Sequence, residues 1–306
     1  KDFLKRNTFY YSPTLDLSIS IMGLAKNSSR ENPFKSESAL FPYSQSHFLW
    51  NYNNTRKIDD IILKEFIPAV INGFIALKPI NSYDMEFTFS VISRKDTRRS
   101  GCRFLVRGAD SNGYTANFAE TEQIIAINNP STNEFNVLSH MQIRGSIPLI
   151  WNQKPDLQLN PAINPSSDLS LHSNAFNRHI TQLLSAYDKV TLVNLIDKKG
   201  HQNVIGEYYQ NLYQNSKTLF QPNNSSGLES FVNMTWFDFH AECKKMKYQN
   251  LSNLLRATSV SSSLNSQDFT QFYIKKSKDR IGFDNLTKVN VVSIQKGVFR
   301  TNCVDN

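Results

Sequence analysis

The decisive stretch of this sequence is residues 289–303, which read VNVVSIQKGVFRTNC. Residues 289–294 are apolar and rich in β-branched side chains, which predicts a strand, and Gly297 predicts a turn that leads into polar residues around Cys303. A cysteine just after a strand, close to Arg300, stands where turn amides and a following helix N-terminus can stabilise a thiolate and bind phosphate. The alternative is a small buried hydrophobic residue, which is the usual role of a lone cysteine.

The composition indicates a large folded domain with an anionic partner. The chain has 306 residues, of which 40% are hydrophobic, and a formal net charge of +8. A sizeable core is therefore expected, and the positive charge favours nucleic acid, anionic lipid or a phosphorylated substrate as the partner. No nucleic-acid-binding motif accompanies the charge, so we predict no nucleic acid among the partners.

The three cysteines, Cys102, Cys243 and Cys303, lie far apart in the sequence. This spacing indicates neither a disulfide framework nor a metal site, so we predict a reducing compartment, no metal and no cofactor. The longest apolar stretch, residues 66–77, covers about twelve residues with a proline and a glycine inside, too short and too broken to span a bilayer. We expect a soluble segment excised from a longer chain, since both ends of the sequence look cut.

Strands and helices alternate in the second half of the chain. Residues 189–196 read as a buried strand, and residues 176–187 and 207–219 read as helices with one apolar face. Residues 231–239 predict a further strand. This alternation predicts an α/β fold, with a mixed central sheet flanked by helices.

Weaker patterns predict the remaining segments. Residues 85–94 alternate as a strand, and Asn112-Gly113 is the turn signal of a hairpin with strands at residues 103–109 and 114–127. The other predictions are one amphipathic helix or two short ones at residues 58–75, a basic-faced helix at residues 242–255, and a loose, serine-rich segment at residues 258–267.

The residues around the cysteine resemble a known motif. The word GVFRTNCVD is similar to the P-loop of the Sac family of phosphoinositide phosphatases, whose motif runs R-[TS]-N-C-x-D-C-L-D-R-T-N. Asn306 stands where the family has a second cysteine, and the motif places its arginine at the sixth position after Cys303, so we expect the 306 residues alone to be inactive. The residues that match position for position are Arg300, Thr301, Asn302, Cys303 and Asp305.

Two longer segments extend the resemblance. RFLVRGADSNGYTANFAETEQI, residues 103–124, follows the family pattern R-x-x-x-R-G-x-D-x-x-G-x-x-A-N-F-x-E-T-E-Q-I, and QIRGSIPLIW, residues 142–151, follows R-G-S-[IV]-P-x-x-W. The similarity runs almost without a break from Arg94 to Cys303. It implies that residues 1–56 are the C-terminal part of a smaller N-terminal subdomain, and that residues 57–306 belong to the catalytic domain, with the cysteine P-loop after a core strand.

The resemblance implies a phosphatase that works through a cysteinyl phosphate. The thiolate of Cys303 would attack a phosphate on the inositol ring of a phosphatidylinositol phosphate, and water would then hydrolyse the intermediate. Asp305 is implied as the general acid for the leaving oxygen, with an Asx-type turn contact as an equal alternative. Arg300 and Asn302 are assigned to the phosphate-binding loop, Arg300 as a brace and Asn302 as an orienter of amides. No metal is required, because amides and an arginine supply the charge stabilisation.

Two basic clusters are candidates for contact with lipid headgroups. Lys244, Lys245 and Lys247 would form a basic lip for the substrate, with a solvated helix face as the alternative. In the same segment we expect His240 to be a hydrogen-bonded structural residue rather than a catalytic one. The second cluster would sit on a hairpin against an anionic bilayer, with charges that protect exposed strands from aggregation as the alternative. It comprises Arg94, Lys95, Arg98, Arg99, Arg103 and Arg107.

Two functions follow from the resemblance. The first is an active Sac phosphatase, cytoplasmic and peripheral at membranes, that acts in lipid metabolism and membrane trafficking. The second is a catalytically degenerate Sac domain that binds phosphoinositides or serves as a scaffold next to an inositol 5-phosphatase domain, as in synaptojanin-like proteins. Asn306 favours the second function, and an arginine at the sixth position after Cys303 would favour the first.

Overall fold

A computed structural model of the chain divides it into two compact units. The described residues are 8–12, 15–26, 45–58, 67–82, 85–102, 105–154, 158, 161–220, 231–276 and 286–304. The first unit comprises residues 1–97, 120–141 and 268–295, and the second comprises residues 98–119, 142–267 and 296–306. The units interleave along the chain, and the boundary expected near Arg56 stays a prediction.

Strands and α-helices are numbered in chain order within the described residues. The strands are β1 (Phe9–Tyr10), β2 (Ile71–Ser82), β3 (Met85–Lys95), β4 (Ala119–Asn129), β5 (Glu134–Arg144), β6 (Trp151–Gln153), β7 (Ile163–Pro165), β8 (Val190–Asn194), β9 (Val232–Trp236), β10 (Thr270–Lys276), β11 (Leu286–Ser293) and β12 (Val298–Asn302). The helices are α1 (Ile21–Lys26), α2 (Tyr52–Thr55), α3 (Leu169–Tyr187), α4 (Asn203–Ser216), α5 (Phe239–Glu242), α6 (Leu251–Arg256) and α7 (Thr258–Gln267).

The first unit is built on antiparallel strand pairs. β1 pairs with β2, β2 with β3, and β10 with both β5 and β11, while β4 lies between β3 and β5. Its core includes Val137, Phe272 and Ile274. Gly73 pairs with Arg94 across β2 and β3, and a Cβ at this glycine would lie 1.8 Å from the Ser93 carbonyl oxygen. Only glycine therefore allows these two strands to approach so closely.

The helix predicted over residues 58–75 is wrong at its C-terminal end, because β2 begins at Ile71. The apolar residues there recur at spacings that fit a helix or a strand, and cross-strand pairing with β3 decides for the strand. The strand predicted at residues 85–94 is confirmed as β3. Residues 59–66 of the predicted helix lie outside the described residues.

Arg94 is a buried structural residue of the first unit, with 1% of its surface exposed. Its Nε donates to the Leu17 carbonyl at 2.6 Å, and its Nη2 donates to the Ile19 carbonyl at 3.1 Å and to Glu122 Oε2 at 3.0 Å. Glu120 Oε2 lies 3.6 Å from Arg94 Nη1. The expectation that Arg94 faces a bilayer is therefore wrong, because this guanidinium balances two buried carboxylates.

The second unit is built on parallel strands. β12 pairs in parallel with β8 and with the last residues of β5, and β8 pairs in parallel with β9. β8 is buried along its whole length, as predicted for residues 189–196. α3 and α4 confirm the two predicted helices, and α3 begins after an N-cap in which Asp168 Oδ1 accepts from the Ser170 amide at 2.8 Å. Antiparallel and parallel pairing together confirm the predicted mixed α/β class.

Two local predictions in the second unit are wrong. The segment predicted to be loose, residues 258–267, is helix α7, because its polar side chains find buried partners: Ser263 Oγ bonds Thr191 Oγ1 at 2.5 Å, and Gln267 Nε2 donates to the same hydroxyl at 3.2 Å. The helix predicted over residues 242–255 is broken, since Lys245 and Met246 have φ values of 58° and 59°. Only α6, at the end of that range, is helical over more than three residues.

The turn at Asn112-Gly113 is confirmed, and α3 holds it. The Gly113 amide donates to the Asp110 carbonyl at 3.0 Å, and Gly113 has a φ of 85°, which favours glycine. The strand predicted before the turn is wrong for residues 105–109, where pairing is limited to an isolated bridge between Ala109 and Thr115. Gln182 Nε2 donates to the Asn112 carbonyl at 2.8 Å, so side chains of α3 secure the turn in place of a regular strand ladder.

Candidate active site

Cys303 directly follows β12, at the carboxyl end of a parallel strand, and its side chain is partly buried. The prediction that a turn leads straight from the strand at residues 289–294 to the cysteine is wrong, because β11 ends at Ser293 and β12 intervenes. In register, Asn302 at the end of β12 pairs with Asn194 at the end of β8. Ligands of α/β proteins commonly bind outside the carboxyl ends of parallel strands, so the cysteine lies at a favourable edge.

Arg300 lies under this edge as a fully buried cation, with 0% of its surface exposed. Its Nη1 donates to Asn302 Oδ1 at 3.2 Å, its Nε donates to His179 Nε2 at 3.2 Å, and its Nη2 donates to the Ser146 carbonyl. Burial lowers the pKa of Arg300, but an arginine stays charged in proteins because its ordinary pKa is so high. A buried positive charge whose hydrogen-bond partners are neutral favours an anion close by.

His179 is held in its neutral form between Arg300 and the turn at Gly113. Burial, followed by the positive charge of Arg300, keeps the pKa of His179 well below its ordinary value of 6.5. Because Nε2 accepts from Arg300, Nδ1 carries the proton and donates it to the Gly113 carbonyl at 2.9 Å. This histidine therefore connects the arginine of β12 to α3 and to the turn.

Replacing His179 with glutamine is expected to make the folded state less sensitive to acid. In the wild type, the unfolded chain binds a proton at this residue below pH 6.5 while the folded chain does not, so the stability contributed by the neutral form is lost as the pH falls. Between about pH 7.5 and about pH 5.5 this residue alone should lower the unfolding free energy by about 1 kcal/mol. Urea unfolding of both proteins at the two pH values measures the difference, and an equal loss in both would contradict the assignment.

Asn302 is buried and forms an amide pair with Asn194. Its Nδ2 donates to Asn194 Oδ1 at 2.6 Å, while its Oδ1 accepts from Arg300. The Leu195 amide donates to the Asn302 carbonyl at 3.0 Å. The residue before the cysteine is therefore fixed by side-chain and main-chain bonds at the ends of two adjacent strands.

Arg107 fixes the backbone just after the cysteine. It is 2% exposed, and its Nη1 donates to the Val304 carbonyl at 2.7 Å, while its Nε donates to Gln153 Oε1 at 2.7 Å. The expectation that Arg107 faces a bilayer is wrong for this reason, although Arg98 of the same cluster is exposed. Arg103 lies outside the described residues, as do Asp305 and Asn306.

The lysines of the predicted basic lip lie on the segment that follows β9. Lys244, Lys245 and Lys247 are all exposed, on short turns rather than on the predicted regular helix. β9 is two strands away from β12, with β8 between them, and all three strands run parallel. The lysines and Cys303 therefore both follow the carboxyl ends of strands of one parallel group.

His240 lies in the same segment and bonds an acidic residue. Its Nδ1 is 2.7 Å from Asp197 Oδ1, and the histidine side chain is 72% exposed. Asp238 caps α5, where its Oδ1 accepts from the Ala241 amide at 2.9 Å. The bond between His240 and Asp197 joins the loops after β8 and β9, as expected for a hydrogen-bonded structural histidine.

Several residues around the site were not predicted from the sequence. Arg107 and Ser146 stand in the two quoted segments, RFLVRG and QIRGS, but an isolated sequence does not reveal their contacts with Val304 and Arg300. Asn194 could have been predicted as a site residue, because a polar side chain inside a buried strand needs a hydrogen-bond partner. Within the described part of the chain, no group of three or more His, Cys, Asp or Glu side chains could hold a metal. Among the helices described there, none has both the length and the apolar character of a membrane span.

Comparison with known proteins agrees with the motif. A family model described as the SacI homology domain matches residues 1–244. Phosphatidylinositol-3-phosphatase SAC1-A of Danio rerio is 32% identical over 303 residues, which cover 99% of this chain and 45% of the relative. Phosphatidylinositol-3-phosphatase SAC1 of Saccharomyces cerevisiae is 29% identical over 310 residues, covering 99% and 44%. Phosphatidylinositide phosphatase SAC2 of Homo sapiens is 28% identical over 335 residues, covering 100% and 26%.

The chain spans less than half the length of these curated relatives. Similarity extends over essentially the whole chain. The family match alone covers well over half of the chain. The chain belongs to the SacI homology family, which confirms the resemblance to Sac domains.

Proposed function

We propose that this protein is a Sac-type phosphoinositide phosphatase with Cys303 as its nucleophile. The observation that carries the proposal is the buried charge of Arg300, with neutral hydrogen-bond partners, at the base of the loop that holds the cysteine. Such a charge favours both a thiolate and a phosphate at this edge. The names of the SAC1 and SAC2 relatives support phosphatidylinositol phosphates as the substrate class.

In the proposed reaction the Cys303 thiolate attacks the phosphorus of a ring phosphate. An S–P bond forms while the P–O bond to the inositol breaks, and Asp305 donates a proton to the leaving inositol oxygen. Water then attacks the phosphocysteine, Asp305 takes up a proton from that water, and phosphate leaves with the thiolate restored. Amides of the loop would stabilise the charge on the phosphoryl oxygens.

The other site residues have supporting roles in this proposal. Arg300 braces the loop from below and supplies positive charge without touching the substrate, because it has no exposed surface. Asn302, held by Asn194, orients the loop amides. Lys244, Lys245 and Lys247 meet the phosphates of lipid headgroups at the rim, which their exposure supports.

Phosphate release from a panel of phosphoinositides, measured with the protein in its full natural length, tests the proposal. We expect release above the buffer rate from at least one phosphatidylinositol monophosphate, and the panel then identifies the ring position. The same lipids without a ring phosphate serve as the blank. No release from any member of the panel would contradict the proposal.

The second candidate is a Sac domain without turnover that binds phosphoinositides, next to an inositol 5-phosphatase domain in the same protein. Asn306, in place of the second cysteine of the motif, is the observation that favours it. Binding of phosphoinositide vesicles without phosphate release would support this candidate. Either function implies a protein that is cytoplasmic and peripheral at membranes.

A further inference from the structure

We propose that an apolar ridge of the second unit enters the interfacial region of an anionic bilayer. The ridge is formed by Met246, Tyr248, Leu251 and Leu255. The inference rests on the proposed function, because a phosphatidylinositol phosphate stays anchored in its bilayer while the ring phosphate is removed. The occupant of this surface would be the membrane that carries the substrate.

The ridge residues are far more exposed than large apolar residues usually are. The exposed fractions are 75% for Met246, 50% for Tyr248, 36% for Leu251 and 56% for Leu255. From residue 244 to residue 259 no side chain is buried. Four large, exposed apolar side chains within ten residues of one unburied segment are the kind of feature that marks a protein or membrane contact.

The backbone holds these side chains outward. Lys245 and Met246 both adopt left-handed conformations, which turn the chain sharply at the point where Met246 is most exposed. Leu251 and Leu255 are four residues apart in α6 and share one face of that helix. Leu254, which is three residues from Leu251 in the same helix, packs against the core cluster of Val193, Val260 and Phe299. Leu254 therefore joins α6 to the fold, while Leu251 and Leu255 stay exposed beside it.

Charge around the ridge fits an anionic surface. Residues 243–267 contain four cations and no aspartate or glutamate. Apolar side chains that enter a membrane while flanking cations meet anionic headgroups form the usual pattern of an interfacial anchor. The cations, all exposed, are Lys244, Lys245, Lys247 and Arg256.

The ridge also follows the edge of the parallel strands at which Cys303 lies. It follows the carboxyl end of β9, in the parallel group whose central strand, β8, also pairs with β12. Cys303 follows the carboxyl end of β12. Insertion of the ridge would therefore place headgroups at the edge of the strands where the nucleophile lies.

Vesicle co-sedimentation tests the ridge directly. The variant Leu251→Ser/Leu255→Ser should bind vesicles of phosphatidylcholine and phosphatidylserine at least about tenfold more weakly than the wild type, because two apolar anchors are lost. The matched control is Leu77→Ser/Leu219→Ser, which changes two leucines that are each 68% exposed and lie elsewhere. Binding of the ridge variant equal to that of the wild type, or an equal loss in the control, would overturn the proposal.

Depth of insertion gives a second measurement. The variant Met246→Trp adds a tryptophan to the ridge. Lipids brominated on their acyl chains should quench the fluorescence of this variant more than that of the wild type, which has three native tryptophans. No added quenching would overturn the proposal. Gel filtration of the ridge variant measures its oligomeric state. If the variant changed its oligomeric state and kept its vesicle binding, the proposal would be overturned, and the ridge would be a protein contact.

Turnover on monomeric and on vesicle-borne substrate distinguishes a failure of the ridge proposal from a failure of the proposed function. With short-chain, monomeric phosphoinositide the ridge variant should retain the wild-type rate, while with vesicle-borne substrate it should lose about as much as its binding does. Equal losses on both substrates would overturn the proposal. If the wild type released no phosphate from either substrate, the proposed function would fail, and the vesicle binding and quenching would still test the ridge.

Discussion

Replacing Cys303 with serine is expected to reduce phosphate release from phosphoinositides by at least about 10³-fold. A serine hydroxyl is a far weaker nucleophile than a thiolate at neutral pH, and the buried charge of Arg300 that favours a thiolate does little for a neutral hydroxyl. Phosphate release by the full-length protein and its variant, on the best substrate of the panel, measures the effect. Mass spectrometry of the quenched wild type should find the phosphoryl group on Cys303.

Cys102→Ser is the matched control for this experiment. Cys102 is exposed, and it undergoes the same chemical change outside the candidate site. We expect this control to keep wild-type activity. Cys303→Ser should still bind phosphoinositide vesicles, because the ridge and the lysines are unchanged. Equal phosphate release by the wild type and by Cys303→Ser would rule out the cysteine as the nucleophile.

Replacing Arg94 with methionine is expected to lower the unfolding free energy by about 3–5 kcal/mol. The methionine fills much of the space, but the carboxylate of Glu122, which is 0% exposed, loses its charged partner at 3.0 Å. The carbonyls of Leu17 and Ile19 also lose their donors. Urea or thermal unfolding of the wild type and the variant measures the loss.

Arg56→Met is the control for this loss of stability. Arg56 is exposed at the end of α2, so the same chemical change should alter the unfolding free energy by no more than about 0.5 kcal/mol. Adding Glu122→Gln to Arg94→Met should recover part of the loss, since no charge at position 122 is then left buried. A loss below about 1 kcal/mol in Arg94→Met would show that the buried ion pair does not stabilise the first unit.

Local sequence patterns predicted the elements that depend on local chemistry. The buried strand at Val190–Asn194 and the helices α3 and α4 were predicted because their apolar residues recur with the period of the element itself. The turn at Gly113 was predicted because its left-handed conformation favours glycine. The family assignment depended on motifs long enough to make chance similarity improbable.

Segments whose conformation depends on distant partners were predicted less well. The serine-rich segment became α7 because Thr191 and Thr235, on two different strands, bond its hydroxyls. The short β12 was missed because five residues with an arginine and an asparagine do not read as a strand, although parallel pairing with β8 makes it one. Strand pairing and buried hydroxyl bonds join residues far apart in sequence, which a local pattern cannot report.

The sequence by itself determined the family, the mixed α/β class and the cysteine proposed as the nucleophile, because each is written in contiguous residues. The tertiary structure decided which cations are buried and which meet solvent. Arg94, Arg107 and Arg300 are buried because groups distant in sequence accept their hydrogen bonds, whereas the lysines after β9 are exposed. The desolvation of a charge is repaid only by partners that folding brings to it, so the same residue type braces the loop at one place and faces the solvent at another.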